Sequence, residues 1–160
     1  MTQAAADLPP IRSARPAITA DLMAQTGLDE ALLTELVHSF YAKVRADAVL
    51  GPIFAARITD WEPHLERMVA FWSSVALMTG RYHGAPVPKH MSLPVTWSHF
   101  ERWLALFRET AQETCPPAGA AHVIERAERI ARSLHMAVED AASDARGAVP
   151  KLRLEQRGQG

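Results

Sequence analysis

Seven histidines, His38, His64, His83, His90, His99, His122 and His135, are the side chains of this sequence best suited to hold a metal. None stands in a His-Glu-x-x-His or other close ligand spacing. The single cysteine, Cys115, excludes an intramolecular disulfide, a Cys-x-x-Cys zinc pair and a Cys-x-x-Cys-His covalent attachment. There is no Gly-rich phosphate loop and no Gly-x-Ser-x-Gly nucleophile elbow. Glu62, Glu66, Glu101 and Glu109 fall mostly on polar helical faces, so the paired inward carboxylates of a di-iron bundle are not evident. Aromatic residues and a few histidines are left. That set suits a flat apolar cofactor held by one axial imidazole.

His90 sits in the most unusual stretch, Tyr82–Pro94 (YHGAPVPKHMSLP), with Gly84, Pro86, Pro88 and Pro94. Proline lacks a backbone N–H and fixes φ, and it pushes the residue before it out of the α region. The stretch therefore reads as a stiff loop with at most a short helical turn. A rigid loop can present one imidazole beside an apolar wall. A lone loop histidine is nevertheless usually a surface residue, His64 on a helix edge is more often a satisfied core histidine, and Tyr41 and Trp103 are most simply packing. Each alone is uninformative, and their meaning depends on the elements around them.

Those elements are helical. Thr19 could cap a short helix over about 20–26 that stops at Gly27. A long helix follows from about Asp29 to Ala46, with Leu32, Leu33, Leu36, Val37, Phe40 and Val44 at three- and four-residue steps and Tyr41 on the edge of that stripe. Gly51-Pro52 marks a corner, where the apolar Ile53 and Phe54 should plug something. Thr59 or Asp60 then caps a helix from about Trp61 to Thr79. Its stripe is Trp61, Leu65, Met68, Trp72 and Val75, with His64 and Phe71 on a neighbouring line turned toward the core. After the proline loop, Ser98-x-x-Glu101 looks like a capping box opening a helix to about Glu113, with Phe100, Trp103, Leu104 and Phe107 on its apolar face. Pro116-Pro117 closes it. A last helix over about Gly119–Ala142 presents Val123, Ala127, Ile130, Leu134 and Val138. No repeat, hairpin signal or alternating strand is present, and the fold class is all-α.

Composition narrows the partners. A net charge of −1 over 160 residues gives no footprint for nucleic acid. The most apolar run, Met68–Met78, is too short to span a bilayer, and the N-terminus lacks the apolar core of a signal peptide. One cysteine fits a reducing cytoplasm. One domain is expected, with a flexible arm at 1–17 and a disordered tail at 144–160 around a folded body at 18–143.

Taken in order, Phe40-Tyr41-x-x-Val44-Arg45-x-Asp47, Leu50-Gly51-Pro52-Ile53-Phe54, Trp61-x-x-His64, Phe71-Trp72, Tyr82-x-Gly84-x-Pro86-x-x-x-His90-x-x-Leu93 and Phe100-x-x-Trp103-Leu104-x-Leu106-Phe107 closely resemble the group III truncated haemoglobins. The match covers roughly residues 28–140. Groups I and II of that superfamily carry Gly-Gly pairs at helix junctions. This chain has none, in agreement with group III.

The resemblance implies a globin-like, truncated two-over-two helical sandwich around a non-covalent haem b (protoporphyrin IX iron). His90 would be the proximal iron ligand, and Phe54 would pack on the porphyrin. Tyr41, Trp103 and His64 would form the distal side, with His64 weighted below the other two. Phe40, Ile53, Met68, Phe71, Trp72, Phe107 and Ile130 would be pocket neighbours, and Tyr82 and Lys89 would face the propionates. The implied partners are dioxygen and other diatomic gases such as NO and CO, with neither nucleic acid nor a membrane. Oxygen binding or transport and NO or reactive-oxygen chemistry both stay open. A nitric oxide dioxygenase or peroxidase-like enzyme would need a separate reductase. Two other readings compete: a haem-free all-α interaction protein whose aromatic stripes are only core, and a haem gas sensor acting through a partner.

Overall fold

The structure, a computed structural model, describes residues 11–82 and 95–159, with side chains described through residue 143. Six helices appear among them: α1 (Pro16–Thr26), α2 (Glu30–Ala46), α3 (Leu50–Ala55), α4 (Trp61–Leu77), α5 (Trp97–Thr114) and α6 (Pro117–Gln159). No strand occurs among the described residues. Helix α2 packs on α4, and α5 packs on α6. The two pairs are stacked through contacts of α2 with α5 and of α4 with α6. This is the two-over-two sandwich, with α1 laid across α4 and α6 and α3 bridging α2 to α5.

Helix α2 is the central element because its apolar stripe is wide and well capped. Asp29 accepts from the Leu32 N–H at 2.8 Å, which satisfies one orphan donor of the first turn. Leu33, Leu36, Val37, Phe40 and Val44 are all buried to within 1% exposure. Each such side chain stabilises the fold by about 1.5–3 kcal/mol.

Local chemistry moves several boundaries away from their sequence-based positions. Helix α1 begins at Pro16, not near 20, because proline fits the first turn, where N–H groups lack partners anyway. Thr19 is therefore inside the helix and does not cap it; its hydroxyl donates to the Leu77 carbonyl at 2.8 Å. Gly27 ends α1 as expected, at φ +73°, its N–H donating to Met23 O at 2.8 Å. The Gly51-Pro52 corner is a six-residue helix. A Cβ on Gly51 would lie 2.7 Å from the Arg45 carbonyl oxygen, so only glycine lets α3 fold back so tightly on the end of α2.

On α4 the buried line is Leu65, Val69, Trp72 and Ala76. Met68, Phe71 and Val75 are half-buried. Helix α5 starts at Trp97, and its capping pair is Thr96 with His99 in place of Ser98 with Glu101: the Thr96 N–H donates to His99 Nδ1 at 2.9 Å. The last helix keeps its helical backbone to Gln159, past the boundary at 143 expected from sequence. Residues 151–156, KLRLEQ, are good helix formers, opposed in this stretch by Gly147, Pro150 and Gly158.

Candidate functional site

The helices enclose a cavity of about 460 Å³, in the size range of sites for small molecules and cofactors. Helix α2 contributes Tyr41. The α3 corner contributes Leu50, Ile53, Phe54, Arg57 and Ile58, so the apolar corner residues do line a space. Helix α4 supplies His64, Arg67, Met68, Phe71 and Trp72, and its exit supplies Tyr82. Val95, His99, Phe100 and Trp103 close the α5 side, with Ile130, Ala131 and Leu134 of α6 opposite. Met68 and Phe71 are half-buried because they face this cavity, not a neighbouring helix.

One wall is built of stacked rings. Phe107 lies nearly parallel to Trp72, with centroids 4.7 Å apart at 23°, and to Trp103, 5.6 Å apart at 16°. Phe107 and Phe40 are buried to 1% exposure and are not among the lining residues. Expected at the cofactor, they instead stand behind the wall, where Phe40 meets Trp103 and Phe107 edge-on at 5.3 and 5.1 Å. Such ring pairs contribute about 0.5–1.5 kcal/mol each beyond area burial, so the wall is stiff.

A second aromatic group holds Tyr41. Its ring is edge-on to His64 at 5.3 Å and to Phe54 at 6.0 Å, and tilted against Trp61 at 5.9 Å. His64 is perpendicular to Trp61 at 5.4 Å, and the Arg45 guanidinium caps the outer face of Trp61 at 4.5 Å. Burial pushes the Tyr41 phenol well above its ordinary pKa. A phenol is already a neutral O–H at physiological pH, and burial favours that form further.

The corner carrying Phe54 is fixed by charge. Asp47 accepts from the N–H groups of Val49 at 3.0 Å and Leu50 at 2.8 Å, which starts α3. The Arg102 Nε–H donates to both Asp47 oxygens, at 2.8 and 2.7 Å. The hydrogen bond from Arg102 is the main cause that holds the Asp47 carboxyl down at about 2. Burial opposes it, while the two backbone donors and the Arg102 charge assist.

Tyr41, His64, Trp103, Phe54, Met68, Phe71, Trp72 and Tyr82 are thus brought together around one space. His90 and Lys89 lie outside the described residues. Three further residues, Arg57, Arg67 and His99, line the cavity without standing in any motif of the sequence. Arg57 and Arg67 are exposed at the cavity and suit an anionic edge. Each follows a cavity residue by three positions, Phe54 and His64, a helical spacing that could have revealed them. His99 accepts a backbone N–H at Nδ1, so its neutral ring carries its proton on Nε2 as a donor. Among the described residues no three His, Cys, Asp or Glu side chains cluster to hold a metal. A metal in this cavity would bring most of its ligands with it, as a porphyrin does. Apolar walls, aromatic faces and two arginines at the edge fit a flat macrocycle with carboxylates. Among the described residues no helix is long and apolar enough to cross a membrane.

A family model described as bacterial-like globin matches residues 22–136. The chain is 34% identical over 109 residues to the group 3 truncated hemoglobin ctb of Campylobacter jejuni, covering 65% of this chain and 86% of that protein. It is 25% identical over 84 residues to the group 2 truncated hemoglobin YjbI of Bacillus subtilis, covering 51% and 64%. The crystal structure of the group III truncated hemoglobin from Campylobacter jejuni superposes with a TM-score of 0.66 at 33% identity, over 69% of this chain and 91% of that one. With the two-over-two fold and the cavity lined by Tyr41, His64 and Trp103, these matches establish that the chain belongs to the bacterial-like globins, as a group III truncated haemoglobin.

Proposed function

We propose that the cavity takes haem b, with His90 as the proximal ligand, and that the protein binds dioxygen and related diatomic gases beside Tyr41 and Trp103. The observation that carries this is the Tyr41 phenol: it lines an apolar cavity as a neutral O–H donor, which burial favours further. Haem supplies the iron position at which a diatomic gas is held. Tyr41 offers an O–H donor and Trp103 an indole N–H donor to a polar gas ligand. The edge-on contact of His64 with Tyr41 supports a role for His64 in orienting that phenol, beside a weaker one at the ligand. Met68, Phe71 and Trp72 exclude water from the macrocycle, and Arg57, Arg67 and Tyr82 suit its carboxylates.

A hydrogen bond to a charged or strongly polarised acceptor slows ligand release by roughly ten- to a hundredfold. Carbon monoxide, being less polar when bound, gains less. Donors that hold oxygen tightly favour NO or reactive-oxygen chemistry over bulk transport, with electrons supplied by a separate reductase.

Reconstitution with haemin tests the cofactor. A sharp Soret band that is lost in His90→Ala is expected. A spectrum unchanged by that substitution overturns the assignment of His90. Tyr41→Phe should speed oxygen release at least severalfold while leaving carbon monoxide release nearly unchanged. An unchanged oxygen rate moves the donor role to Trp103 or His64. NO consumption by the oxygenated protein with a reductant should exceed that of free haem. Equality sinks the enzymatic reading and leaves oxygen binding.

A further inference from the structure

Five polar residues are buried among the described residues, and three of them, Thr19, Ser73 and Thr79, meet at one place, the exit of α4. Buried hydroxyls are unfavourable unless bonded, so their collection here calls for a structural reason. Every one is satisfied, and the donors can be assigned. The Thr19 O–H goes to Leu77 O at 2.8 Å, so Ser13, 2.6 Å away, donates to Thr19. The Ser73 O–H goes to Ala70 O at 2.8 Å, so Thr79, 2.7 Å away, donates to Ser73. Ser74 Oγ donates to Ala70 O at 3.1 Å and accepts the Tyr82 N–H at 2.8 Å.

Two further ties come from outside. The Ala14 N–H donates to Thr79 O at 2.9 Å, and His122 Nε2 of α6 donates to Ala76 O at 2.7 Å. The carbonyls of Ala76 and Leu77, orphans of the last turn of α4, are therefore capped by side chains of α6 and α1. After them the chain turns through Met78 at φ +56° and Gly80 at φ +71°.

This cluster delivers Tyr82. Its N–H is held by Ser74, and its ring stands edge-on to Phe71 at 5.1 Å and 89°, both rings lining the cavity. In sequence Tyr82 opens the stretch that carries His90. We propose that Thr19, Ser73, Ser74 and Thr79 are positioning residues of the cavity: these neutral hydroxyls, tied to the N-terminal segment at Ser13 and Ala14, fix the exit of α4 and hold Tyr82 in the wall that retains the cofactor. The inference rests on the haem reading above. It gives the segment before α1 a role that the family pattern in the sequence does not suggest.

The test uses the full chain loaded with haemin. Its readouts are the rate of haemin loss to an excess of apomyoglobin and the iron–imidazole stretching band of the ferrous form. Thr79→Val and Ser74→Ala should each speed haemin loss by roughly two- to tenfold, the worth of one net hydrogen bond, and shift or broaden that band. Thr79→Ser keeps the hydroxyl and should behave as wild type. Thr110→Val removes an equally buried hydroxyl bonded within α5 to Leu106 O, away from the cavity, and should leave both readouts unchanged. Unchanged readouts in Thr79→Val and Ser74→Ala overturn the proposal, as does an equal change in Thr110→Val. If Thr79→Val does not fold, Ser74→Ala, at a half-buried position, carries the comparison alone. A wild-type chain that takes up no haemin would instead refute the haem reading itself, and a band that persists in His90→Ala would refute only the assignment of His90.

Discussion

Two places in this molecule do the same task by different means. Near Asp47 and at Leu77–Tyr82 the chain leaves a long helix, turns, and delivers one aromatic ring to the cavity: Phe54 at the first and Tyr82 at the second. The first turn is held by charge, through Asp47 with Arg102 and the start of α3. Neutral hydroxyls buried under the N-terminal segment hold the second. Location explains the choice. Arg102 is half exposed, so its charge stays solvated while its Nε reaches a nearly buried carboxylate. The exit of α4 is covered by α1 and α6, where an ionised group would lose its hydration and hydroxyls would not. A tie made by a carboxylate is lost in acid, and a tie made by a hydroxyl is not.

The largest effect should come from making the charged corner geometrically impossible. Gly51→Ala places a methyl 2.7 Å from the Arg45 carbonyl oxygen, where only backbone could give way. Urea denaturation should show a loss of about 1–3 kcal/mol, with Phe54 displaced. A stability equal to wild type would mean that the corner is not rigid and would break the comparison.

Removing a hydroxyl at the other exit comes close behind. Thr19→Val leaves the buried Leu77 carbonyl and Ser13 without their partner and should destabilise by about 1–3 kcal/mol in the same assay. That loss should be the same at every pH from 2 to 7, since no charge is involved.

Asp47→Asn sharpens the contrast through pH. The folded Asp47 carboxyl titrates at about 2, below its ordinary value of 3.8, so the unfolded chain takes up the proton first as pH falls. Its contribution is full above the ordinary value and disappears as pH drops through about 2. The melting temperature of Asp47→Asn should therefore lie below wild type at pH 7 and converge on it as pH falls through about 2. Parallel curves would show that Arg102 does not hold the carboxylate in solution. The smallest effect is expected from Lys43→Ala, which removes exposed pairs with Glu109 and Glu113. It should melt within error of wild type, because surface ion pairs contribute little.

Much of this was legible in sequence. Helical periodicity placed α2, α4, α5 and α6 within a few residues at their starts, because long amphipathic stripes leave few alternative packings. The ordered set Tyr41, Phe54, His64, Trp72 and Trp103 pointed to one pocket, and the structure gathers those residues around one cavity. The misses share a cause. A threonine before a helix is often a cap, but the bond of Thr19 to Leu77 crosses 58 positions and leaves no local mark. The resemblance implies Phe107 as a pocket neighbour, and in the structure it stands behind the ring wall. Which residue of a stripe faces a cavity and which backs it depends on the crossing of two helices. Ser98 and Glu101 have capping-box spacing, but the helix starts two residues before that pair requires, so Thr96 and His99 form the cap.

The sequence by itself determined the class of the fold, the family and the roster of rings and donors, since those follow from short-range periodicity and from residue types in order. Only the tertiary structure decided which rings line the cavity and which stand behind them. It also decided that Arg57, Arg67 and His99 belong to the cavity, and that Asp47 at one turn and Thr19, Ser73 and Thr79 at the other set the geometry. These depend on contacts between segments far apart in the chain, where no spacing rule applies and a hydrogen bond finds its partner only after the helices have packed.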